Sequence, residues 1–350
     1  MLYNSQVGSP NGKECLEEMM KDFRLKHIFS LKTLAFFALT LNILLSSVLG
    51  MGTADLKEGE LSAKKMGFSG NLPIGPGSRI FGGGSLTMLA DEGNRQMLSL
   101  VFQAKDGTLV VVDGGWDSDS VHLLEVIKQK GGHVSGWFIT HPHSDHAGAL
   151  VEILNNPDSG ITIDGIYYSL AEQSWYDSHG AGREEFVNTF RQALDKVPAE
   201  NLHGDIQKGQ EIQLGEIKIM VLNNPYLLEE TSVNNSSVVY KIYMNGVSTM
   251  VLGDLGPEGG QKLLGEYTQD VLQSDIVQMS HHGQYGVNKD VYAAINAQVA
   301  LWPCPLWLWN NDNGGGIGSG DWKTLETRQW MEELGIRANY CIKDGDQIIY

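Results

Sequence analysis

The chain has 350 residues, 42% of them hydrophobic, enough to bury one large core and too apolar to remain disordered. Its 25 basic and 42 acidic side chains leave a formal net charge of −17. A surface of that sign repels phosphate backbones, so duplex nucleic acid is excluded as a default ligand.

Residues 1–54 read as separate from the fold. Lys21, Arg24, Lys26 and Lys32 precede a nearly continuous apolar run over residues 33–49, and the small residues Gly52, Thr53 and Ala54 follow it. That order predicts a secretory signal peptide, with an N-terminal membrane anchor as the alternative. The protein is therefore expected to be secreted or extracytoplasmic, touching a membrane only through this segment. Residues 55–85 contain Leu72-Pro-Ile-Gly-Pro-Gly77 and Gly82-Gly-Gly84, and read as a linker or surface-hugging arm. One compact domain is expected over residues 86–350.

Within it, strand and helix patterns alternate. Met97–Ala104 and Thr108–Asp113 predict a hairpin closed at Lys105-Asp106-Gly107. Val121–Lys130 has helical spacing and stops at Gly131-Gly132, and Val134–Thr140 follows as a buried strand. Its C-terminal end delivers Thr140-His141-Pro142-His143-Ser144-Asp145-His146-Ala147-Gly148. Three histidines and an aspartate within six positions form a metal-ligand composition, because neutral imidazole and carboxylate oxygen are both good donors to zinc. A helix is expected over Ala147–Leu154, with the positive end of its dipole toward those residues.

Farther on, Ile161–Ser169 is strand-like and Arg183–Lys196 helical, and a hairpin spans Glu211–Leu222. Another runs through Ser236–Met244 and Ser248–Leu252, turning at Asn245-Gly246. Strand ends again carry polar groups: Asn234-Asn235-Ser236 precedes one, Asp254 closes Val251-Leu-Gly-Asp254, and His281-His282-Gly283 ends Asp275–Ser280. Pro and Gly break the stretch from Trp302 to Trp322, predicting a long loop that carries Trp307 and Trp309. Those two rings are candidates for binding substrate, since aromatic faces attract a choline-type cation; packing of the loop onto the sheet is the alternative. Cys304 and Cys341 read either as a disulfide or as two small buried hydrophobes. His122, His133 and His203 read as solvated.

The ordered series Asp113-Gly-Gly, His141-x-His143-x-Asp145-His146, Gly253-Asp254 and His281-His282-Gly283 resembles the metallo-β-lactamase fold superfamily. The nearer likeness is to its ComEC-type branch and to secreted phosphorylcholine esterases, and it covers roughly residues 86–350. The resemblance implies an α/β fold, an αββα four-layer sandwich with a two-metal site at the edge of the sheets. It implies that His141 and His143 hold one metal, that Asp145, His146 and His282 hold the other, and that Asp254 bridges them. Asp145, Asp254 and His281 take the catalytic roles, and exchange of His281 with His282 as ligand is the alternative. Asp113 is implied to sit behind the ligands, fixing the tautomer of a histidine. Many superfamily members supply a third histidine to the first metal where this chain has Asn234-Asn235-Ser236. Either Asn235 or His179, from the loop over residues 174–180, takes that place. The implied ions are two Zn²⁺, with Mn²⁺ as the alternative. The implied activity is hydrolysis by metal-activated hydroxide of a small-molecule or cell-surface phosphoester, a phosphodiester or phosphorylcholine-like substrate. A ComEC-like nuclease and a non-catalytic surface-binding protein with a degraded metal site are the alternatives.

Overall fold

Strands whose two faces are both apolar can be satisfied only between layers. The computed structural model describes residues 69–75, 77–180, 182–230 and 232–350. The signal or anchor reading of residues 1–54 lies outside them. In chain order the strands are β1 (Ser85–Met88), β2 (Ser99–Gln103), β3 (Leu109–Asp113), β4 (His133–Val134), β5 (Gly136–Phe138), β6 (Thr162–Ile163), β7 (Ile166–Tyr167) and β8 (Leu202–His203). Then come β9 (Glu211–Leu214), β10 (Ile217–Val221), β11 (Tyr240–Met244), β12 (Val247–Val251), β13 (Ile276–Gln278), β14 (Val299–Trp302), β15 (Ala338–Cys341) and β16 (Gln347–Ile349). One seven-stranded sheet has the order β16-β1-β2-β3-β5-β7-β8, and a second has β15-β14-β13-β12-β11-β10-β9. β4 and β6 form a small parallel ribbon.

The period-two alternation of the second sheet shows how the layers are built. Ile217, Ile219, Tyr240, Ile242, Val251, Ile276, Val299 and Leu301 join the core shared with the first sheet. Their neighbours Met220, Val239, Met250, Val277, Ala300 and Trp302 point the other way, into a second core with Leu263, Val291, Ile295 and Met331. Those last four lie on the helices Pro257–Glu266, Lys289–Ile295 and Thr324–Glu333. Across the molecule, the helices Ser120–Gln129, Ser144–Asn155 and Glu184–Leu194 contribute Leu123, Ile127, Leu150, Ile153 and Phe190 to the first core. The fold is the α/β, four-layer αββα sandwich. Trp137 is fully buried and donates its indole N–H to the Asp113 carbonyl at 2.7 Å. Truncating it to alanine would cost about 3–5 kcal/mol.

All three expected hairpins form, with Ser99 opposite Asp113, Ile219 opposite Ile212 and Tyr240 opposite Val251. Asn245 and Gly246 both have positive φ, 51° and 87°, the conformation that lets a two-residue turn follow the twist of its strands. Several details differ from the sequence reading or add to it. The helix expected from Ala147 starts at Ser144, so Asp145 and His146 ride on its first turn. Residues 173–179 are a short helix, and Leu306–Trp309 makes one helical turn inside the long tryptophan loop. His203 lies in β8 and stacks on Tyr167, ring centroids 4.3 Å apart. The last strand, β16, leaves the second sheet to pair with β1, through Leu86 opposite Ile349.

The described part of the 55–85 arm is held by named bonds. Backbone N–H groups of Ser69 and Gly70 donate to Asp275 Oδ1 at 3.0 and 3.1 Å, and that of Leu72 donates to Gln298 Oε1 at 3.0 Å. Phe81 is fully buried.

Candidate metal centre

The site is assembled from strand ends by turns that most residues avoid. Asp113 ends β3 at φ 57°, Gly253 follows β12 at φ 57°, and His281 and His282 follow β13 at φ 47° and 55°. Left-handed conformation in a non-glycine residue is strained, and its clustering here throws carboxylate and imidazole groups into the seam between the sheets. Two glycines permit the close packing. A Cβ on Gly253 would meet the Ser237 hydroxyl and Thr140 Cβ at 2.8 Å, and one on Gly283 would meet the Trp302 ring at 2.6 Å.

Two groups of donor atoms converge: His141, His143 and Asp254 in one, Asp145, His146 and His282 in the other, with the ligand atoms of each within 4.8 Å of one another. Asp254 stands between them. Its Oδ1 lies 3.2 Å from His146 Nε2, and its Oδ2 lies 3.5 Å from His282 Nε2 and 3.8 Å from His141 Nε2. His282 Nε2 is also 3.2 Å from Asp145 Oδ2. The far sides of the rings are anchored. His146 Nδ1 donates to Asp113 Oδ2 at 2.7 Å, and His282 Nδ1 donates to the Pro303 carbonyl at 3.0 Å. Asp113 in turn accepts from the backbone N–H of Thr140 at 2.8 Å and from its hydroxyl at 2.7 Å.

These contacts test whether a metal fits. His146 Nε2, His282 Nε2 and Asp254 Oδ1 are buried without hydrogen-bond partners. An anchored Nδ1–H leaves the Nε2 lone pair pointing inward, the tautomer a metal requires, and orphaned buried polar atoms of this kind are otherwise costly. The titration pattern agrees. Burial drives His141 well below the usual imidazole range and His143 down to about 4. Burial also opposes charge on His146 and His282, but the carboxylates win: Asp254 and Asp113 hold His146 well above its ordinary value, while Asp254 and Asp145 lift His282 to about 9. Asp145 and Asp254, despite burial, are held well below the carboxylate range by the facing histidines. Cations would take the place of those imidazole protons. The donor set fits two metal ions, consistent with a dinuclear site.

The remaining candidates divide. His281 stands at the cavity mouth, its Nε2 3.9 Å from Asp254 Oδ2 and 3.4 Å from Asn234 Nδ2. Asn235 is corrected as a metal ligand. Its Oδ1 accepts from the N–H groups of Gly256 and Gly259 at 2.9 and 3.1 Å, which occupies both lone pairs, and its Nδ2 donates to the Glu230 carbonyl and Glu258. His179 does not take the place either. Its Nδ1 bonds the Trp175 carbonyl one turn back, and its ring stacks on Trp175.

Above the two groups lies a cavity of about 370 Å³. His143, Asp145, Asp254 and His281 line it together with Arg95, Gln96, Trp116, Arg183, Asn234 and Trp307. Trp307 therefore borders the site, its indole N–H donating to the Asn94 carbonyl at 2.9 Å. Trp309 is corrected as a substrate-binding residue. Its ring packs edge-on against Trp302 at 5.1 Å beneath the Arg328 guanidinium, 4.1 Å from the ring centre, so its aromatic face is already occupied by a cation. Sequence reasoning missed Arg95, Gln96, Trp116, Thr140 and Arg183. Trp116 and Arg95 follow one another across the β2–β3 hairpin, but nothing in their spacing shows that the guanidinium covers the indole at 4.7 Å.

The sequence pattern described as the Metallo-beta-lactamase superfamily matches residues 93–298, which contain both groups. The chain belongs to that superfamily. An 82-residue stretch is 29% identical to ComE operon protein 3 of Bacillus subtilis (strain 168), covering 23% of this chain and 10% of that protein. The chain thus spans about a tenth of the length of this curated relative. Among solved structures, the metallo-beta-lactamase fold protein YhfI from Bacillus subtilis is similar at 12% identity and TM-score 0.45, over 76% of this chain and 99% of that one. A diphosphatase of the PhnP family is similar at 12% identity and TM-score 0.41, over 76% and 97% of the two chains. The diiron β-hydroxylase CmlA of Streptomyces venezuelae is similar at 10% identity and TM-score 0.47, over 76% and 54%. This metallo-beta-lactamase superfamily member carries two groups of His and Asp side chains that could each hold a metal ion. The alternative of a degraded metal site rested on the missing third histidine, and each donor group brings three side chains together without one.

Proposed function

We propose that the protein is an exported phosphoesterase acting on a small or cell-surface phosphoester, a phosphodiester first of all. The observation that carries this reading is the placement of two arginines over the metal groups of a chain with net charge −17. Arg183 is exposed, and among the described residues its guanidinium forms no ion pair. Arg95 is fixed by Asp91, with Nη2 2.6 Å from Oδ1, and lies over Trp116. Guanidinium groups match the geometry and charge of phosphoryl oxygens.

His141, His143 and Asp254 would hold one ion and Asp145, His146 and His282 the other; zinc suits this nitrogen-and-oxygen set, with manganese as the alternative. Bound there, the ions supply Lewis acidity and a water acidified toward neutrality. Asp113 and the Pro303 carbonyl keep His146 and His282 in the required tautomer. His281, held neutral by burial, presents Nε2 to the substrate side. Trp116 and Trp307 flank the cavity.

Elemental analysis together with a screen of bis-p-nitrophenyl phosphate, p-nitrophenyl phosphate, a lactone and single-stranded DNA tests the reading, beside a His143→Ala control. Turnover of the diester lost in the control supports it. Turnover of lactone but neither phosphoester overturns it, and turnover of single-stranded DNA alone selects the nuclease alternative. Export rests on residues 33–49 and is tested by N-terminal sequencing of protein recovered outside the cytoplasm. Among the described residues no helix is long and apolar enough to cross a membrane.

A further inference from the structure

Cys304 and Cys341 play no part in the site, yet they meet. Both are buried, and their sulfur atoms lie 3.6 Å apart. The Cys341 sulfur also lies 3.3 Å from the Cys304 carbonyl oxygen. β14 and β15 pair in parallel with Trp302 opposite Cys341, so Cys304 sits just beyond the end of β14, and β15 is the outer strand of its sheet. Residues 305–340 form the loop between the two cysteines. That loop includes Trp307, which walls the cavity, and the glycine run from Gly314 to Gly320. On its other side Cys304 follows Pro303, whose carbonyl anchors His282.

We propose that Cys304 and Cys341 close into a disulfide that ties residues 305–340 to the strand end holding His282. Bond formation needs the sulfurs to approach by about 1.5 Å, from contact to bonding distance. Both thiols are buried in the folded chain, so the exchange takes place before the sheet has closed over them, and Cys341, on the outer strand, reacts first. Its thiolate displaces one thiolate from a small disulfide such as oxidised glutathione, giving a mixed disulfide. The Cys304 thiolate then attacks the Cys341 sulfur and releases the second glutathione thiol. The two cysteines lose two protons and two electrons, and the small disulfide is reduced to two thiols. An oxidising compartment, as the export reading supplies, retains such a bond.

The test refolds the full chain in a glutathione redox buffer, alkylates it in acidic denaturant and maps tryptic peptides without reductant. The expected result is one cross-linked species of Asp290–Lys323 with Ala338–Lys343, which separates on reduction. Alkylation of both cysteines in the refolded protein overturns the proposal. A cross-link predicts a fall in Tm of about 5 °C on reduction, absent in Cys304→Ala/Cys341→Ala, because opening the loop restores chain entropy to the unfolded state. Reduction is also expected to speed loss of zinc to a chelator severalfold. A mapped cross-link with an unchanged rate of zinc loss overturns the tie to His282.

Discussion

Replacing Asp113 by asparagine probes the metal centre without touching a ligand. Asp113 Oδ2 accepts from His146 Nδ1 and from the Thr140 hydroxyl, both at 2.7 Å, while Oδ1 accepts the Thr140 backbone N–H at 2.8 Å. Asparagine keeps one acceptor, which serves the backbone N–H, and turns an NH₂ group toward His146. Two donors then face each other, and the imidazole relieves the clash by moving its proton to Nε2, the atom that would bind metal. The lost interaction is a charge-assisted hydrogen bond between fully buried groups, worth about 1.5–3 kcal/mol. Converted at about 1.4 kcal/mol per decade, that predicts metal binding about 10- to 100-fold weaker. Competition against a fluorescent chelator measures it, with circular dichroism confirming that the metal-free variant is folded. A dissociation constant within twofold of the parent would refute the role given to the carboxylate.

Three further outcomes are expected. Burial lifts Asp119 to about 7, opposed by the N–H donated from Trp116 and aided by the Asp91 carboxylate. Its folded pKa lies above the unfolded value near 4, so its contribution to stability is intact below pH 4 and lost as pH rises through 7. Asp119→Asn, which keeps an acceptor for Trp116, should therefore gain in Tm over the parent as pH rises from 5 to 8, and a constant difference contradicts the assignment. Gly283→Ala should cost about 2–4 kcal/mol in urea unfolding and lower metal occupancy, because its Cβ would meet Trp302 at 2.6 Å at a φ of 82°. Arg183→Gln should raise KM for bis-p-nitrophenyl phosphate about 3- to 10-fold with kcat little changed, while an unaltered KM removes Arg183 from substrate binding.

What the sequence revealed follows from the range of the interactions involved. The histidine cluster was legible because four donors fall within six residues, and the hairpins because alternation and Asn245-Gly246 are local signals. Asp254 and His282 were placed through resemblance, and their convergence depends on strand order that no local pattern encodes. Asn235 misled because an amide beside a strand looks like a donor until Gly256 and Gly259 are seen to use its oxygen. Trp309 misled for the reciprocal reason: composition placed a ring in a loop, and only tertiary packing set Arg328 over its face. The cavity arginines were invisible because single charges carry no periodicity.

Each donor group draws on both halves of the chain, His141 and His143 with Asp254, and Asp145 and His146 with His282. An ion held there would be a rivet through two plates, so that loading it would steady the whole sandwich against unfolding as well as its own site.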